Sequence, residues 1–204
     1  MIRVFLAAGL LVLGLGAAEG DVGAPARATV DAASRLPLSL AMATGSVTSA
    51  PYAYKALCRT TPSACTGGGV DRMVLNDDNL ALLDTVNRKF NASIQSLEDM
   101  ANHGLPDVWS VGGKYGDCED FALAKRQALI DAGVPASALS MAVVRTAEGV
   151  GHAVLVVRTD RGDFVLDNRR AEILGWDHTE YRWYKITAPD DPRRWVTVSG
   201  SRFV

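Results

Sequence analysis

Apolar residues along the chain follow two periods in succession. In "NDDNLALLDTVNRKFNASI" Leu80, Leu83, Val86, Phe90 and Ile94 fall on one helical face, with Asn76 to Asp78 in position to cap the start. In "YGDCEDFALAKRQALIDAG" Phe121, Ala124, Ala128 and Leu129 recur at helical spacing while Lys125, Arg126 and Asp131 fall elsewhere, which predicts an amphipathic helix. Asp117 is a good N-cap type, acidic residues crowd the first turn, and Gly133 and Pro135 supply a stop. Between the two helices "SLEDMANHGLPDVWSVGGK" holds Gly, Pro and Asp breakers and reads as a loop. The pattern then changes to valine-rich runs, "SMAVVRT" (140–146), "HAVLVVRT" (152–159) and "FVLDNR" (164–169), bounded by Gly and Asp, which predict antiparallel strands joined by hairpins. The aromatic C-terminal part adds a final edge strand or two and covers one side of the sheet. Helices followed by a run of strands make the fold class α+β.

The chain begins differently. "MIRVFLAAGLLVLGLGAAEG" has Arg3, an apolar run to about Leu15 and the small residues Gly16, Ala17 and Ala18, the pattern of a signal peptide over residues 1–20. The apolar run is shorter than the roughly 20 residues a spanning helix needs. Residues 21–50, rich in Ala, Ser, Thr and Gly, show no sustained period and read as a flexible lead-in, leaving 51–204 as one catalytic domain. With 204 residues, 48% of them hydrophobic, the chain has room for one sizeable core. A formal net charge of -2 gives no electrostatic case for nucleic acid as a partner.

Export decides how the three cysteines are read. In an oxidising compartment Cys58 and Cys65, close together in "LCRTTPSACTGGG", are the natural disulfide pair, which isolates Cys118. Three reduced thiols, or a bridge from Cys118 to one of the others, are the alternatives. Cys118 sits at a helix N-terminus, where unpaired N–H groups and the helix dipole favour a thiolate. The local sequence is equally compatible with a small residue packed under a helix start.

A thiolate nucleophile needs a base and the base an orienting partner. Of the three histidines, His103 lies in the loop before the helix and His178 in the aromatic tail, whereas His152 opens a strand. The midpoint of His152 and Asp167 falls between Thr159 and Asp160, so a hairpin turning there sets the two opposite one another on one face. A turn centred on Arg161 and Gly162 would instead put Asp167 opposite Val156, roughly 13 Å from His152 at about 3.3 Å per residue. The order Cys, His, Asp on helix, strand and strand suggests a papain-like or transglutaminase-like core.

The blocks "YGDCEDFALAKRQALIDAGVP", "VVRTAEGVGHAVLVVRTDRGDFVLDN" and "LLDTVNRKFN" resemble the bacterial transglutaminase-like cysteine proteinases, a family that includes the LapG-type periplasmic proteases. The resemblance spans about residues 50 to 190. It implies a cysteine peptidase with Cys118 as nucleophile, His152 as base and Asp167 as orienting carboxylate. For LapG-type members it further implies calcium, a large surface adhesin as protein substrate, release of biofilm cells, and sequestration by an inner-membrane receptor for cyclic di-GMP. A transamidase or amidase acting on cell-wall peptides would use the same three residues, and a catalytically silent binding module would keep the fold alone.

Asp117, Glu119 and Asp120 surround the sulfur with negative charge, which raises a thiol pKa. A bound Ca²⁺ would cancel that effect, and carboxylates suit this hard ion. The three acids are therefore the candidate metal ligands, against the alternative that they only favour the helix dipole. Trp109 and Tyr115 are candidates for lining the substrate groove or for core packing.

Overall fold

The computed structural model describes residues 32–199, so the expected signal peptide and the first part of the lead-in lie outside the described residues. In chain order the elements are α1 (Ala32–Arg35), β1 (Thr44–Thr48), α2 (Tyr52–Thr60), α3 (Asp77–Ser93), β2 (Gln95–Ser96), α4 (Asp99–His103), β3 (Tyr115–Gly116) and α5 (Cys118–Asp131). Then follow β4 (Leu139–Arg145), β5 (Gly151–Thr159), β6 (Gly162–Leu166), β7 (Leu174–Gly175), β8 (Arg182–Thr187) and β9 (Trp195–Val198). No helix among the described residues is long and apolar enough to cross a membrane.

Seven strands form one sheet in the order β1-β9-β8-β4-β5-β6-β7, every neighbouring pair antiparallel. Alternation along the strands sends Leu139, Met141, Ala153, Leu155, Val157, Phe164 and Leu166 to a core shared with α2, α3 and α5. Ala142, Val144, Val154, Val156 and Val165 point the other way, against Met42, Trp176 and Trp183. The valine-rich runs are thus buried on both faces, one under helices and one under the aromatic tail.

The predicted helices form, α3 with its expected cap and α5 with its expected stop. The Asn76 side chain accepts from Asn79 N at 2.9 Å, and Leu83 and Val86 are buried on the predicted face of α3. Gly133, in the left-handed region at φ +92°, ends α5.

Three expectations need correction. The part of the lead-in from residue 32 onward is built into the fold, because β1 pairs with β9 and closes one edge of the sheet. The C-terminal strand β8 is interior, since it takes the free edge of β4 and β9 pairs outside it. Helix α5 is buried almost all round, with Lys125 and Arg126 among the least exposed side chains of the chain. Packed between α3 and the sheet, α5 has no solvent face for them. Arg126 donates to the carbonyls of Ala64, Thr66 and Leu139 at 2.9, 2.7 and 3.2 Å, tying the Cys58–Cys65 turn to α5. The Lys125 ammonium has no hydrogen-bond partner, and burial lowers its pKa to about 7 against the opposing field of Asp167.

Candidate active site

The β5–β6 hairpin sets the site. Its ladder runs from Leu155↔Leu166 to Thr159↔Gly162, leaving a two-residue turn at Asp160 and Arg161. Gly162 has φ +105°, and a Cβ there would lie 2.1 Å from the Ser39 carbonyl oxygen, so the turn admits only glycine. Continued by one step, this register would put Asp167 opposite Val154. The turn therefore lies between the two sequence alternatives, and the direct His152–Asp167 register does not form.

The two side chains meet nevertheless. His152 continues the Val154 and Val156 row, Asp167 continues the Val165 row on the same face, and a two-residue diagonal is within reach of an imidazole and a carboxylate. His152 Nε2 lies 2.9 Å from Asp167 Oδ1, with His152 7% and Asp167 3% exposed. The Arg169 N–H donates to the same oxygen at 3.0 Å, and the Tyr181 hydroxyl donates to Oδ2. Burial raises the Asp167 pKa, but the hydrogen bond and charge of His152, with the Arg169 N–H and Tyr181, outweigh it and hold the carboxyl below its usual value. The Asn91 amide donates to the Asp167 carbonyl at 2.8 Å, fastening the residue to α3.

Cys118 arrives from the other side of the sheet at the first turn of α5. Because β6 stops at Leu166, the Ala153 N–H has no β6 carbonyl opposite it and donates to Cys118 Sγ at 3.3 Å. Cys118 and His152 open together onto a cleft of about 410 Å³, lined also by Glu98, Asp117, Glu148 and Arg169. The thiol itself points to Glu119 Oε2 at 3.0 Å. Burial pushes its pKa far up, the charge and hydrogen bond of Glu119 and the charge of Asp117 add to this, and the Ala153 N–H opposes it. Cys118 is a free thiol, and Cys58 and Cys65 form a disulfide.

The acidic residues divide. Asp117 begins α5 without a side-chain capping bond, and it instead hydrogen-bonds with Glu119. Glu119 gathers with Asp99 and Asp107 into one group whose carboxylate oxygens lie within 4.8 Å of one another. Asp120 Oδ1 accepts from Ser110 N at 2.8 Å and Ser110 Oγ at 3.0 Å, and this residue falls in a neighbouring group with Asp99 and His103. A Cβ on Gly116 would sit 2.6 Å from Asp120 Oδ2, which explains the glycine before Asp117.

Asp99 and Asp107 come from the 96–114 stretch, whose Gly, Pro and Asp breakers predict a loop. β2 and β3 pair in parallel and the Leu97 N–H donates to the Gly116 carbonyl at 3.0 Å, folding that loop back on the start of α5. Its only signal was three acidic residues, Glu98, Asp99 and Asp107, among breakers. Trp109 belongs to the core, edge-on to Tyr54 and Trp195, and Tyr115 is part-exposed on β3.

This carboxylate group has the chemistry of a hard-cation site. Its donors, from Asp99, Asp107 and Glu119, are all oxygen, Asp99 Oδ1 is buried with no hydrogen-bond partner, and so is Oδ1 of Asp117, which groups with Glu119 and the Cys118 sulfur. Burial and the neighbouring Asp117 push Glu119 up to about 9, and burial first of all raises Asp117 and Asp107 as well. Buried, crowded carboxylates with raised pKa values retain protons for want of a counter-charge, and a divalent cation fits them.

A sequence profile of the bacterial transglutaminase-like cysteine proteinases matches residues 44–202. No curated protein matches the chain. Among solved structures, calcium-bound LapG of Legionella pneumophila is 23% identical, covering 62% of this chain and 72% of that one with a TM-score of 0.50, a likeness of fold. The EGTA-treated form of that protein is 24% identical over 53% of this chain and 62% of that one, with a TM-score of 0.46. The mixed helix and antiparallel-sheet architecture is the transglutaminase-like fold.

Proposed function

Because the chain belongs to the bacterial transglutaminase-like cysteine proteinases, we propose that it is an exported, calcium-dependent endopeptidase working through Cys118, His152 and Asp167. The observation that carries this is the buried 2.9 Å contact of His152 Nε2 with Asp167 Oδ1. With Nε2–H committed to Asp167, the imidazole keeps Nδ1 as the basic nitrogen. His152 takes the Cys118 proton there, and the thiolate attacks the scissile carbonyl carbon. The Cys118 N–H, at the open N-terminus of α5, faces the developing oxyanion. Imidazolium His152 returns the proton to the leaving amine, and water, deprotonated by His152, releases the acyl group from sulfur.

Asp99, Asp107, Asp117 and Glu119 would hold the calcium ion, beside Asp120. When bound there, the ion would supply positive charge that offsets these carboxylates. With that charge in place Glu119 would cease to compete for the thiol proton, and the Cys118 pKa would fall. A calcium-bound relative supports this reading only at the level of fold.

The substrate we propose is an exposed segment of a surface protein, with a large adhesin as the first candidate and an inner-membrane cyclic di-GMP receptor as candidate regulator. Residues 1–20 would direct the chain to the periplasm, where a surface protein is within reach. The test is the exported and surface proteome of cells carrying wild type or Cys118→Ser. A surface protein shortened only by the wild type, with a new amino terminus, supports the proposal. Amine incorporation in place of new termini would replace hydrolysis by transamidation.

A further inference from the structure

Asp167 is held at both carboxylate oxygens, by His152 and the Arg169 N–H at Oδ1 and by the Tyr181 hydroxyl at Oδ2. Tyr181 is not a neighbour of Asp167 in the sheet. It stands just before β8 and Asp167 just after β6, with β4 and β5 running between those strands. Val144 on β4 is paired with His152 on one side and with Trp183 on the other. The tyrosine therefore reaches across the end of two strands, and its ring lies 5.5 Å from the imidazole of His152 on the way. Trp183 backs the ring at 6.5 Å, so the phenol has little freedom to swing away.

Resting on the catalytic reading above, we infer that Tyr181 is a positioning residue of the peptidase: its hydroxyl locks the rotation of the Asp167 carboxylate and thereby the orientation of His152. A carboxylate turns about a broad, roughly two-fold terminal torsion, so one hydrogen-bonded oxygen does not fix its plane. With Oδ2 released, the plane can rotate, and Nε2–H loses an acceptor held in line. A misaligned Asp167 no longer selects the tautomer that leaves Nδ1 basic. The ring adds a second effect, covering His152 so that water does not compete for Nε2–H.

The test uses the mature chain labelled with [¹⁵N]histidine, as wild type, Tyr181→Phe and, for control, the part-exposed Tyr184→Phe. Phenylalanine keeps the ring and deletes the hydroxyl alone. In wild type and in Tyr184→Phe the His152 Nε2–H should exchange slowly with water and the Nε2–H tautomer should dominate. In Tyr181→Phe exchange should be faster and the Nδ1–H tautomer should grow, at an unchanged melting temperature. Labelling of Cys118 by a peptidyl epoxide should then slow about tenfold, a part of what an oriented base contributes. In an Asp167→Asn background the same substitution should change nothing further, because it acts through that carboxylate. Unaltered exchange and tautomer in Tyr181→Phe would overturn the inference, as would independent, multiplying effects of the two substitutions. Loss of fold in Tyr181→Phe would overturn it too, since the hydroxyl would then be structural. A wild type that the epoxide does not label would count against the peptidase reading, while the NMR arm would still decide the role of Tyr181.

Discussion

His152 and Asp167 meet at 2.9 Å although the hairpin that carries them does not set them opposite one another. The contact is a diagonal one, made where β6 has ended and Asp167 leaves the ladder. The same ending frees the Ala153 N–H for Cys118 Sγ. One structural event, the early stop of β6, thus supplies both the partner of His152 and the donor to Cys118.

Asp167→Asn should keep the fold and lower turnover by roughly 10²- to 10⁴-fold, through loss of tautomer selection and of imidazolium stabilisation. Cys118→Ser should remove turnover altogether with unchanged circular dichroism. Kinetics with the identified substrate, or epoxide labelling for the Asp167 variant, check both. Wild-type rates in Cys118→Ser would end the enzyme reading.

Chelation should slow alkylation of Cys118 near neutral pH, and re-added Ca²⁺ should restore it, because burial holds the thiol pKa up and the charges of Glu119 and Asp117, which the ion would offset, add to it. Glu119→Gln should retain a reactive thiol in the presence of chelator while losing the response to calcium. Alkylation rate against pH for the two proteins, with and without EGTA, is the measurement. Superimposable wild-type curves would leave the carboxylates without a role in thiol control.

Calcium should also change how stability depends on pH. Glu119 has a folded pKa of about 9, raised from 4.5 first by burial and next by its hydrogen bond with Asp117. Without a cation, the folded chain holds a proton that the unfolded chain releases between those values, so stability falls as pH rises from about 4.5 to about 9. A bound cation removes the raised pKa and flattens this slope. Saturation at about 100 times Kd contributes about 2.7 kcal/mol. Melting temperatures from pH 5 to 9, with calcium and with EGTA, should therefore diverge as pH rises.

Lys125 predicts a slope of opposite sign. Burial lowers its pKa from 10.5 to about 7, so the unfolded chain binds the extra proton in that window and stability rises with pH across it. Lys125→Met should remove this contribution and raise stability near neutral pH by on the order of 1–3 kcal/mol, the penalty of an unpaired buried polar group. Urea titrations at pH 7 and pH 9 should show the variant gaining less than the wild type between the two.

Removing the Cys58–Cys65 bridge as the double serine variant should cost roughly 2–3 kcal/mol, since it closes only a short loop. The α5 end of the site should be felt as well, because Arg126 grips Ala64 and Thr66 in and beside that turn. Urea unfolding of oxidised wild type against the variant checks the magnitude.

Much of the fold was written locally. The period of α3, the Asn76 cap and the valine-rich strands follow from short-range pattern, because a helix face and a pleated strand each bury residues at a fixed spacing. Cys118 at a helix start was legible for the same reason, and the closeness of Cys58 and Cys65 in sequence made them the natural pair in an oxidising compartment. Other features could not be read from spacing. The turn at Asp160 and Arg161 depends on Ser39 packing on Gly162, more than a hundred residues away in sequence. Asp99 and Asp107 reach Glu119 only because β2 and β3 pair, and Tyr181 reaches Asp167 only because β8 docks on β4. Lys125 looks like a surface residue until α3 and the sheet close around α5. The sequence by itself determined the elements and the place of Cys118 at a helix start, since those depend on neighbours a few residues apart. Tertiary structure alone decided which acids stand beside the sulfur and what holds His152, because those contacts join residues that only the pairing of strands brings together.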